Sequence, residues 1–261
     1  MPEGDTLFRI ADTLSRALGG KQVTRFETGL AKLAAVDRDA PIAGRTIERV
    51  EARGKHLLMR FSGGLILRTH LRMNGAWHIY RPGERWQKAR SRARIAIETA
   101  DFVAVGFDIP VADFISDAKL ARDPALSTLG PDLLAPNFDL AEARRRLRAR
   151  GGPIGEALLD QRALAGIGNI YKCEALFASG VHPETPTAAL GDGELTALLE
   201  VARKLLSAGA HEARPRRMVY DRTGQPCRRC GERIQVERHG ASARATWWCP
   251  HCQPARPDRL G

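Results

Sequence analysis

The 261-residue sequence lacks the features of an exported or membrane-bound protein. Its first residues, MPEGDT, form neither the basic segment nor the apolar core of a signal peptide. No apolar run is long enough to span a bilayer, and no lipidation motif is present. Cysteine is also scarce, with five residues in all, and unpaired thiols are typical of a reducing compartment. We therefore expect a cytoplasmic protein that has no membrane partner.

Acidic residues are the minority among the charged residues. The sequence has 30 Asp and Glu but 41 Lys and Arg, which gives a net charge of +11. Residues 201–261 hold 13 basic and 5 acidic residues and so carry +8 of this excess. A concentrated basic segment indicates a polyanionic partner, and nucleic acid fits best. A genome that favours arginine codons would explain part of the excess, but not its concentration near the C-terminus.

Four of the five cysteines form two C-x-x-C pairs, Cys227 with Cys230 and Cys249 with Cys252, separated by eighteen residues. This spacing is typical of a four-cysteine zinc site. Two disulfides would need an oxidising compartment, and a redox C-x-x-C would not explain two pairs. We predict one structural Zn²⁺, since four thiolates leave no position open for a substrate. The alternating runs RIQVER and ARATWWC between the pairs predict a β-hairpin, and Cys173 is predicted to be a buried thiol.

The N-terminal part of the chain predicts a helix followed by strands. Apolar residues recur at helical spacing from Leu7 to Leu18, and Gly19-Gly20 ends the pattern. From Lys21 to Ile115, short alternating runs separated by turns predict an antiparallel β-sandwich of about eight strands. Segment 81–94 has six basic residues and one acidic residue. It is either a solvated loop or a loop that faces phosphates.

The C-terminal part reads as helical. Residues 139–150 form a helical pattern with a basic face, and a long amphipathic pattern covers residues 195–206. The predicted fold class is α+β and multidomain, with a leading helix on the β-sandwich, a helical domain and a zinc finger. The predicted boundaries are a sandwich domain at 1–122, a linker at 123–137, a helical domain at 138–213, a zinc finger at 214–255 and a tail at 256–261.

The turn at residues 164–169 separates two helical patterns. Asn169 is predicted to cap the second helix, and Gly166 and Gly168 leave backbone amides exposed just before it. Amides at a helix N-terminus bind phosphate readily. The turn is therefore either a phosphate site or an ordinary glycine-containing connection between helices.

Several motifs together resemble one known family. They are PEGDT after Met1, RGKHLL at 53–58, THLRMNGAW at 69–77, LLDQRALAGIGNIYKCEALF at 158–177, VYDRTGQPC at 219–227 and ARATWWCPHCQ at 243–253. In this order they are similar to the Fpg/Nei family of DNA glycosylases with abasic-site lyase activity, over nearly the whole chain. The PEGDT start resembles the endonuclease VIII branch. The resemblance implies a helix-two-turn-helix element in the helical domain and a role in base-excision repair.

The resemblance changes the interpretation of the N-terminus, which by itself reads only as a turn before a helix. It implies that Pro2, freed by removal of Met1, is the nucleophile. An α-amine has a pKa of about 8, against about 10.4 for lysine, so more of it is unprotonated at neutral pH. Attack of this secondary amine on sugar C1′ would give an iminium that permits β- or β,δ-elimination. Glu3 corresponds to the acid that protonates the sugar or the departing base.

Other residues are assigned by the same resemblance. Lys55 and Arg244 would hold phosphates at the catalytic centre, and Asp5 and Asp160 would support it. Thr6 stands where the family usually has a second Glu. The implied DNA contacts are His70, Arg72, Met73, Asn169 and Tyr220. Met73 corresponds to the residue that enters the base stack after the lesion flips out; the alternative is a core methionine at a turn.

Two departures from the formamidopyrimidine branch bear on the substrate. GFDIP at 106–110 replaces the Arg-Arg-Phe run that faces the orphan base, and segment 208–219 is too short for a long lesion-covering loop. Both favour oxidised pyrimidines, or lesions in single-stranded or opened DNA. We expect a monomer that acts on DNA. A non-catalytic zinc protein that binds damaged or abasic DNA is the alternative, but it would not need Pro2 and Glu3.

Overall fold

The computed structural model describes residues 2–211, 216–239 and 243–255. The chain divides into two compact units, Met1–Ser127 and Thr128–Gly261. The division falls inside the segment 123–137 that the sequence suggests as a linker. Leu126 and Leu133, on either side of this division, are fully buried. The segment therefore contributes buried apolar side chains and is not an exposed linker throughout.

The first unit contains two four-stranded antiparallel sheets, and their inner faces share one apolar core. Strand order is β1-β6-β7-β5 in one sheet and β2-β3-β4-β8 in the other. The predicted eight-stranded sandwich is therefore confirmed. The strands are β1 (Arg25–Thr28), β2 (Ile47–Arg53), β3 (His56–Phe61), β4 (Leu65–His70), β5 (Ala76–Tyr80), β6 (Ala93–Glu98), β7 (Val103–Phe107) and β8 (Val111–Ser116).

The predicted leading helix is present as α1, Gly4–Leu18. Leu7, Leu14 and Leu18 lie on one face of α1 and are almost completely buried in the sandwich core. Burial of a leucine side chain contributes about 1.5–3 kcal/mol, so three of them anchor the N-terminus firmly. The helix ends where predicted, with Gly19 as its C-cap.

The first unit also contains three helices that the sequence pattern did not indicate: α2 (Ala31–Asp39), α3 (Asp117–Arg122) and α4 (Pro124–Ser127). Helix α2 interrupts the region predicted to be all strands. It buries only Leu33, so it lacks the repeated apolar spacing that reveals α1. The side chain of Ser116 caps α3 by accepting a hydrogen bond from the amide of Lys119.

The second unit combines helices with a β-hairpin, as predicted. Its core is formed by apolar residues that include helix leucines such as Leu147, Leu176 and Leu198. Cys173 is fully buried, as expected, in a smaller cluster with residues of the hairpin region. The elements are α5 (Leu140–Arg150), α6 (Ile154–Ala157), α7 (Asn169–Ala178), α8 (Asp192–His211), β9 (Gln235–His239) and β10 (Arg244–Trp248).

The basic face of α5 is largely neutralised. The carboxylate of Glu142 pairs with both Arg145 and Arg146, at 2.7 and 2.6 Å. Asp192, at the start of α8, pairs with Arg148 at 2.8 Å and with Arg144 at 3.8 Å. The predicted basic face therefore serves to join helices. Within the described part of the chain, no helix is both long and apolar enough to cross a membrane.

Candidate active site and nucleic-acid interface

The N-terminal residues hold a defined position where α1 begins. Pro2 is partly exposed, whereas Glu3 is only 1% exposed. The backbone of Glu3 is extended, with φ of −114°, and its carbonyl accepts a hydrogen bond from the amide of Leu7 at 3.1 Å. Since Leu7 is anchored in the core, this bond ties residues 2 and 3 to the sandwich. Met1 lies outside the described residues.

Asp5 lies in the first turn of α1 and is 6% exposed. Its carboxylate accepts hydrogen bonds from the hydroxyl of Thr6 at 3.2 Å and from the guanidinium of Arg9 at 3.4 Å. These contacts are local to the helix. A carboxylate near the helix N-terminus also interacts favourably with the helix dipole, so Asp5 stabilises the element that carries Glu3.

Three predicted DNA-contacting side chains come together at one end of the sheet β2-β3-β4-β8. Burial lowers the pKa of His70, and the nearby positive charges of Arg72 and Lys55 lower it further. The Nδ1 atom of His70 accepts a hydrogen bond from the amide of Arg72 at 3.0 Å. The sequence indicates no link between the β2–β3 turn, which carries Lys55, and the end of β4. The sheet register brings them together.

His56 is a member of this cluster that sequence reasoning missed. Its ring meets that of His70 edge-on, with centroids 4.9 Å apart. Burial, and then the charge of His70, lowers the pKa of His56 to about 4. Both imidazoles are therefore neutral at pH 7, and a neutral pair lies beside the cations Lys55 and Arg72. Only its position directly after Lys55 could have marked His56 in the sequence.

Met73 is exposed at the turn that follows β4. Its relative accessibility is 69%, and among the described residues no other large hydrophobic side chain is classed as exposed. The alternative of a core methionine is therefore wrong. Arg72, just before it, has φ of +50°, a left-handed conformation that is costly for a residue with a Cβ. The backbone thus presents Met73 outward at some cost in strain.

A cleft of about 450 Å³ lies beside the Met73 turn. Asp108, in the segment that replaces the Arg-Arg-Phe run, lines this cleft with φ of +52°. Its carboxylate accepts two hydrogen bonds from Arg92, at 3.0 and 2.6 Å, and lies 3.6 Å from the ammonium of Lys88. Part of the basic segment 81–94 is thus tied to the sandwich rather than free in solvent. Arg90 likewise lies over the ring of Trp86, at 4.5 Å.

Asn169 is the first residue of α7, and Gly168 is the N-cap, so the predicted capping role of Asn169 is wrong. The side-chain amide of Asn169 donates instead to the carbonyl of Ala245 in β10, at 2.8 Å. Its Oδ1 atom is buried and has no hydrogen-bond partner among the described residues. Gly166 has φ of +91°, which explains the glycine there, and its amide donates to Gln161 at 3.1 Å.

The four cysteines of the zinc motif converge on one point. Their sulfur atoms all lie within 4.8 Å of one another, with Cys227 to Cys252 at 3.9 Å and Cys230 to Cys249 at 3.5 Å. A tetrahedral Zn²⁺ with Zn–S bonds of about 2.3 Å separates its sulfurs by about 3.8 Å. The residues therefore fit zinc, and the predicted site is confirmed. Gly231 has φ of +85° and ends the first knuckle.

Backbone amides also support the zinc site. The amide of Arg229 donates to the sulfur of Cys227 at 3.4 Å, and that of Cys252 donates to the sulfur of Cys249 at 3.5 Å. Burial raises the pKa of Cys227, but hydrogen bonds from the amides of Arg229 and Cys230 lower it to about 7. Burial raises the pKa of Cys252, and the neighbouring cysteines add to this rise. A bound cation would favour four thiolates at this site.

Helix α7 holds the strand that carries Arg244. Arg244 is exposed at the start of β10, and the two residues after it are both bonded to α7. The carbonyl of Ala245 accepts from Asn169, and the hydroxyl of Thr246 accepts from the ammonium of Lys172 at 2.6 Å. Lys172 is only 2% exposed. Sequence reasoning missed it because 74 residues separate it from Thr246.

Glu174, two residues further along α7, was also missed. Its carboxylate accepts hydrogen bonds from the backbone amides of Met218, Val219 and Tyr220, at 2.9, 3.0 and 2.9 Å. The ring of Tyr220 lies 4.6 Å from that of Trp247. Tyr220 is thereby fixed to both α7 and the hairpin, partly exposed.

Asp160 has a structural role within the helical domain. Its carboxylate accepts from the side chain of Arg150 at 3.0 Å and from the amide of Arg162 at 2.9 Å. Its backbone carbonyl also accepts from the amides of Ala163 and Leu164. Asp160 therefore orders the turn that leads to Asn169.

Three family profiles match the chain in the order of these elements. Residues 1–108 match the formamidopyrimidine-DNA glycosylase N-terminal domain, residues 129–215 match the formamidopyrimidine-DNA glycosylase H2TH domain, and residues 224–255 match the zinc finger found in FPG and IleRS. The matched regions contain the N-terminal residues, the turn before Asn169 and the four cysteines.

Relatives and solved structures agree with these profiles. Probable endonuclease 8 2 of Streptomyces coelicolor is 42% identical over 100% of this chain and 97% of its own. DNA-(apurinic or apyrimidinic site) lyase Nei2 of Mycolicibacterium smegmatis is 39% identical over 98% and 100%. Fpg of Lactococcus lactis, solved with DNA that contains an abasic site, shares the fold with a TM-score of 0.84 and 24% identity, over 97% of this chain and 100% of that chain. The chain belongs to the Fpg/Nei family of DNA glycosylases. The two curated relatives named here carry endonuclease VIII or Nei names, so the predicted resemblance is confirmed.

Proposed function

We propose that this protein is a bifunctional DNA glycosylase and abasic-site lyase of base-excision repair. The observation that carries the proposal is the placement of Pro2 and the buried Glu3 at the anchored start of α1. A protein that only bound damaged DNA would not need an amine and a carboxyl group at this position. The names of the relatives, which include an abasic-site lyase, point to the same chemistry.

In the proposed reaction, the secondary amine of Pro2 attacks C1′ of the damaged nucleotide. The glycosidic C–N bond breaks, and the C1′–O4′ bond then breaks to open the sugar ring as the iminium forms. The departing base and O4′ each gain a proton, one from the amine N–H and the other from Glu3. The resulting iminium acidifies the proton on C2′, and its loss expels the 3′ phosphate by β-elimination. Hydrolysis of the iminium returns the free amine. Because Glu3 is 1% exposed, it acts within the protein rather than in bulk water.

The DNA backbone is held by residues of both units in this proposal. Lys55 and Arg72 supply positive charge in the first unit, and the neutral His70 offers a hydrogen bond beside them. Arg244 supplies charge in the second unit, and Tyr220 and Asn169 supply further polar contacts. Phosphate contacts of this kind position a protein on DNA without reading sequence.

Met73 is the proposed wedge that fills the space left by the flipped base. Its exposed side chain on a strained turn supports this role. The segment 106–110 beside it contains no arginine, and its Asp108 pairs with Arg92, so the segment has no guanidinium of its own with which to read an orphan base. We therefore propose oxidised pyrimidines, or lesions in single-stranded DNA, as the preferred substrates, and a monomer as the active form. We also propose the functional division into a sandwich domain, a linker, a helical domain and a zinc finger with the boundaries given above.

Borohydride trapping tests the proposal. Single- and double-stranded oligonucleotides would carry an abasic site, thymine glycol, dihydrouracil or 8-oxoguanine, and protein with a blocked Pro2 amine would be the control. We expect a covalent adduct only with free Pro2, and stronger trapping on the oxidised pyrimidines than on 8-oxoguanine. No adduct on any substrate, despite DNA binding and removal of Met1, would identify a damage-binding protein instead.

A further inference from the structure

The zinc-finger region carries a group of arginines that the proposed site does not use. Arg216, Arg217, Arg222 and Arg228, here called the arginine cluster, lie around the first cysteine knuckle. The guanidinium of Arg228 donates to the carbonyl of Arg217 at 2.8 Å. Arg216 directly precedes Arg217 in the chain. The guanidinium of Arg222 donates to the carbonyls of Met218, next to Arg217, and of Pro226, two residues before Arg228. The four side chains therefore share one small region.

The cluster has little compensating negative charge. Asp221 reaches Arg217 only at 4.0 Å. The carboxylate of Glu174 is near Arg228, but three backbone amides already bind it. Within residues 2–211, 216–239 and 243–255, neither Arg216 nor Arg228 has a carboxylate at salt-bridge distance. Unpaired like charges held together cost folding free energy, and a bound anion would remove that cost.

Arg217, Arg222 and Arg228 are held in place before any ligand arrives. The guanidinium of Arg217 lies 5.0 Å from the centre of the Tyr220 ring, and Glu174 fixes the backbone of residues 218–220. Arg222 is 9% exposed and donates to the carbonyls of Met218 and Pro226 and to Gln225. Those acceptors are neutral, so its positive charge remains. Prior ordering lowers the entropy lost on binding.

We propose that the arginine cluster is a second site for DNA backbone phosphates, in which Arg216 and Arg228 contact phosphates other than those held by Arg244. Arginine suits this task because its planar guanidinium presents five N–H donors to phosphate oxygens. The hydrogen bond from Arg228 to Arg217 leaves other donors of that group available. The choice of DNA as the polyanion rests on the proposed function, whereas the excess of positive charge does not.

The test is the salt dependence of binding to undamaged DNA, single- and double-stranded, by the full-length zinc-loaded protein. The variant Arg216→Gln/Arg228→Gln removes two charges from the cluster and keeps polar side chains. For two lost contacts to duplex DNA, the slope of log K against log salt should fall by about 1.8 in magnitude, with binding about tenfold weaker at low salt. The control is Arg16→Gln/Arg145→Gln, which removes two exposed arginines already paired with Asp12 and Glu142. It should leave the slope unchanged.

Three outcomes would overturn the inference. An equal slope for the cluster variant and wild type would remove the second site, and an equal loss in the control would reduce the effect to overall charge. If tripolyphosphate raised the melting temperature of wild type but not of the variant, while the DNA slope stayed unchanged, the site would bind small phosphates only. Zinc content and melting temperature establish that the variant is folded. Trapping on abasic DNA at saturating protein should remain in the variant, so failure of this site and failure of the lyase chemistry are distinguishable.

Discussion

The two units hold their functional side chains by different means. In the first unit, leucines on one face of α1 pack into the sandwich core, and this packing fixes the position of Pro2 and Glu3. In the second unit, Arg244 lies on a small hairpin with little core of its own. It is held instead by four sulfurs and by polar side chains of α7. The first site depends on apolar packing, and the second depends on a metal and a few hydrogen bonds.

This difference determines how each site should fail. Apolar packing is spread over many contacts, so removal of one changes stability gradually. A metal site or a buried hydrogen bond is lost as a whole when one partner is removed. We therefore expect single changes to disrupt the second site more completely than the first. Four experiments test this expectation, in order from the largest expected effect to the smallest.

Removal of zinc should have the largest effect. Binding of structural zinc contributes about 10–16 kcal/mol in small zinc fingers, more than the finger region can gain from its small core. Chelation should unfold residues 216–255 and abolish DNA binding, while the β-sandwich keeps its circular dichroism and its melting transition. Metal analysis should give one zinc per chain in wild type and in the matched control Cys173→Ala. A metal-free protein with an intact hairpin would contradict this account.

Glu3→Gln should abolish base excision without unfolding the first unit. Loss of a general acid costs about 10²- to 10⁴-fold in rate, whereas the leucines that anchor α1 are unchanged. Single-turnover excision of dihydrouracil measures the effect, and the melting temperature and DNA affinity serve as controls. Activity on a preformed abasic site, which needs no base protonation, should fall less. If Asp5→Asn lost excision and Glu3→Gln did not, the acid would be Asp5.

Lys172→Met should weaken DNA binding although Lys172 is buried. The change breaks the bond that holds Thr246, two residues from Arg244, and a hydrogen bond to a charged group contributes about 1.5–3 kcal/mol. We expect affinity to fall by about tenfold and the salt slope to drop by about 0.9, as for Arg244→Ala. Thr246→Val breaks the same bond and removes no charge. If it left the slope at the wild-type value, a positioning role for Lys172 would be wrong.

Near neutral pH, the smallest expected effect is the pH dependence of the first unit. The pKa of His56 is about 4 in the folded protein, lowered from its ordinary value of 6.5, so the unfolded chain binds more protons between these two values. The stabilising contribution of neutral His56 is therefore complete above about pH 6.5 and is lost as pH falls towards 4, by up to about 3 kcal/mol. Urea titrations at several pH values measure it. His56→Gln should flatten this dependence, and an unchanged curve would assign it to other groups.

Much of the fold follows from local sequence patterns. The spacing from Leu7 to Leu18 predicts α1 because a helix buries one face, and the two C-x-x-C pairs predict the zinc site because the ligands are close in sequence. Helix α2 was missed because it buries only Leu33 and therefore has no repeating apolar face. Asn169 was misassigned as a cap because its real partner, Ala245, is 76 residues away.

Charged residues whose partners are distant in sequence were misread for the same reason. The arginines of α5 appear as a free basic face in the sequence because the carboxylate that pairs with two of them, Asp192, belongs to another helix. Lys172 and Glu174 gave no signal, since a charged residue in a helical pattern is usually on the surface. Patterns within about one helical turn were readable, whereas polar contacts over some 40 to 76 residues required the fold.

The contacts from α7 to the hairpin also determine where this protein could be joined to a relative in a chimera. Asn169, Lys172 and Glu174 belong to the helical domain in sequence, yet their partners all lie beyond residue 217. A zinc finger exchanged with that of a relative would meet an α7 that had not evolved with it. The finger is therefore not an interchangeable cassette, and a chimera with a working finger should take its crossover before residue 169 rather than at the end of α8.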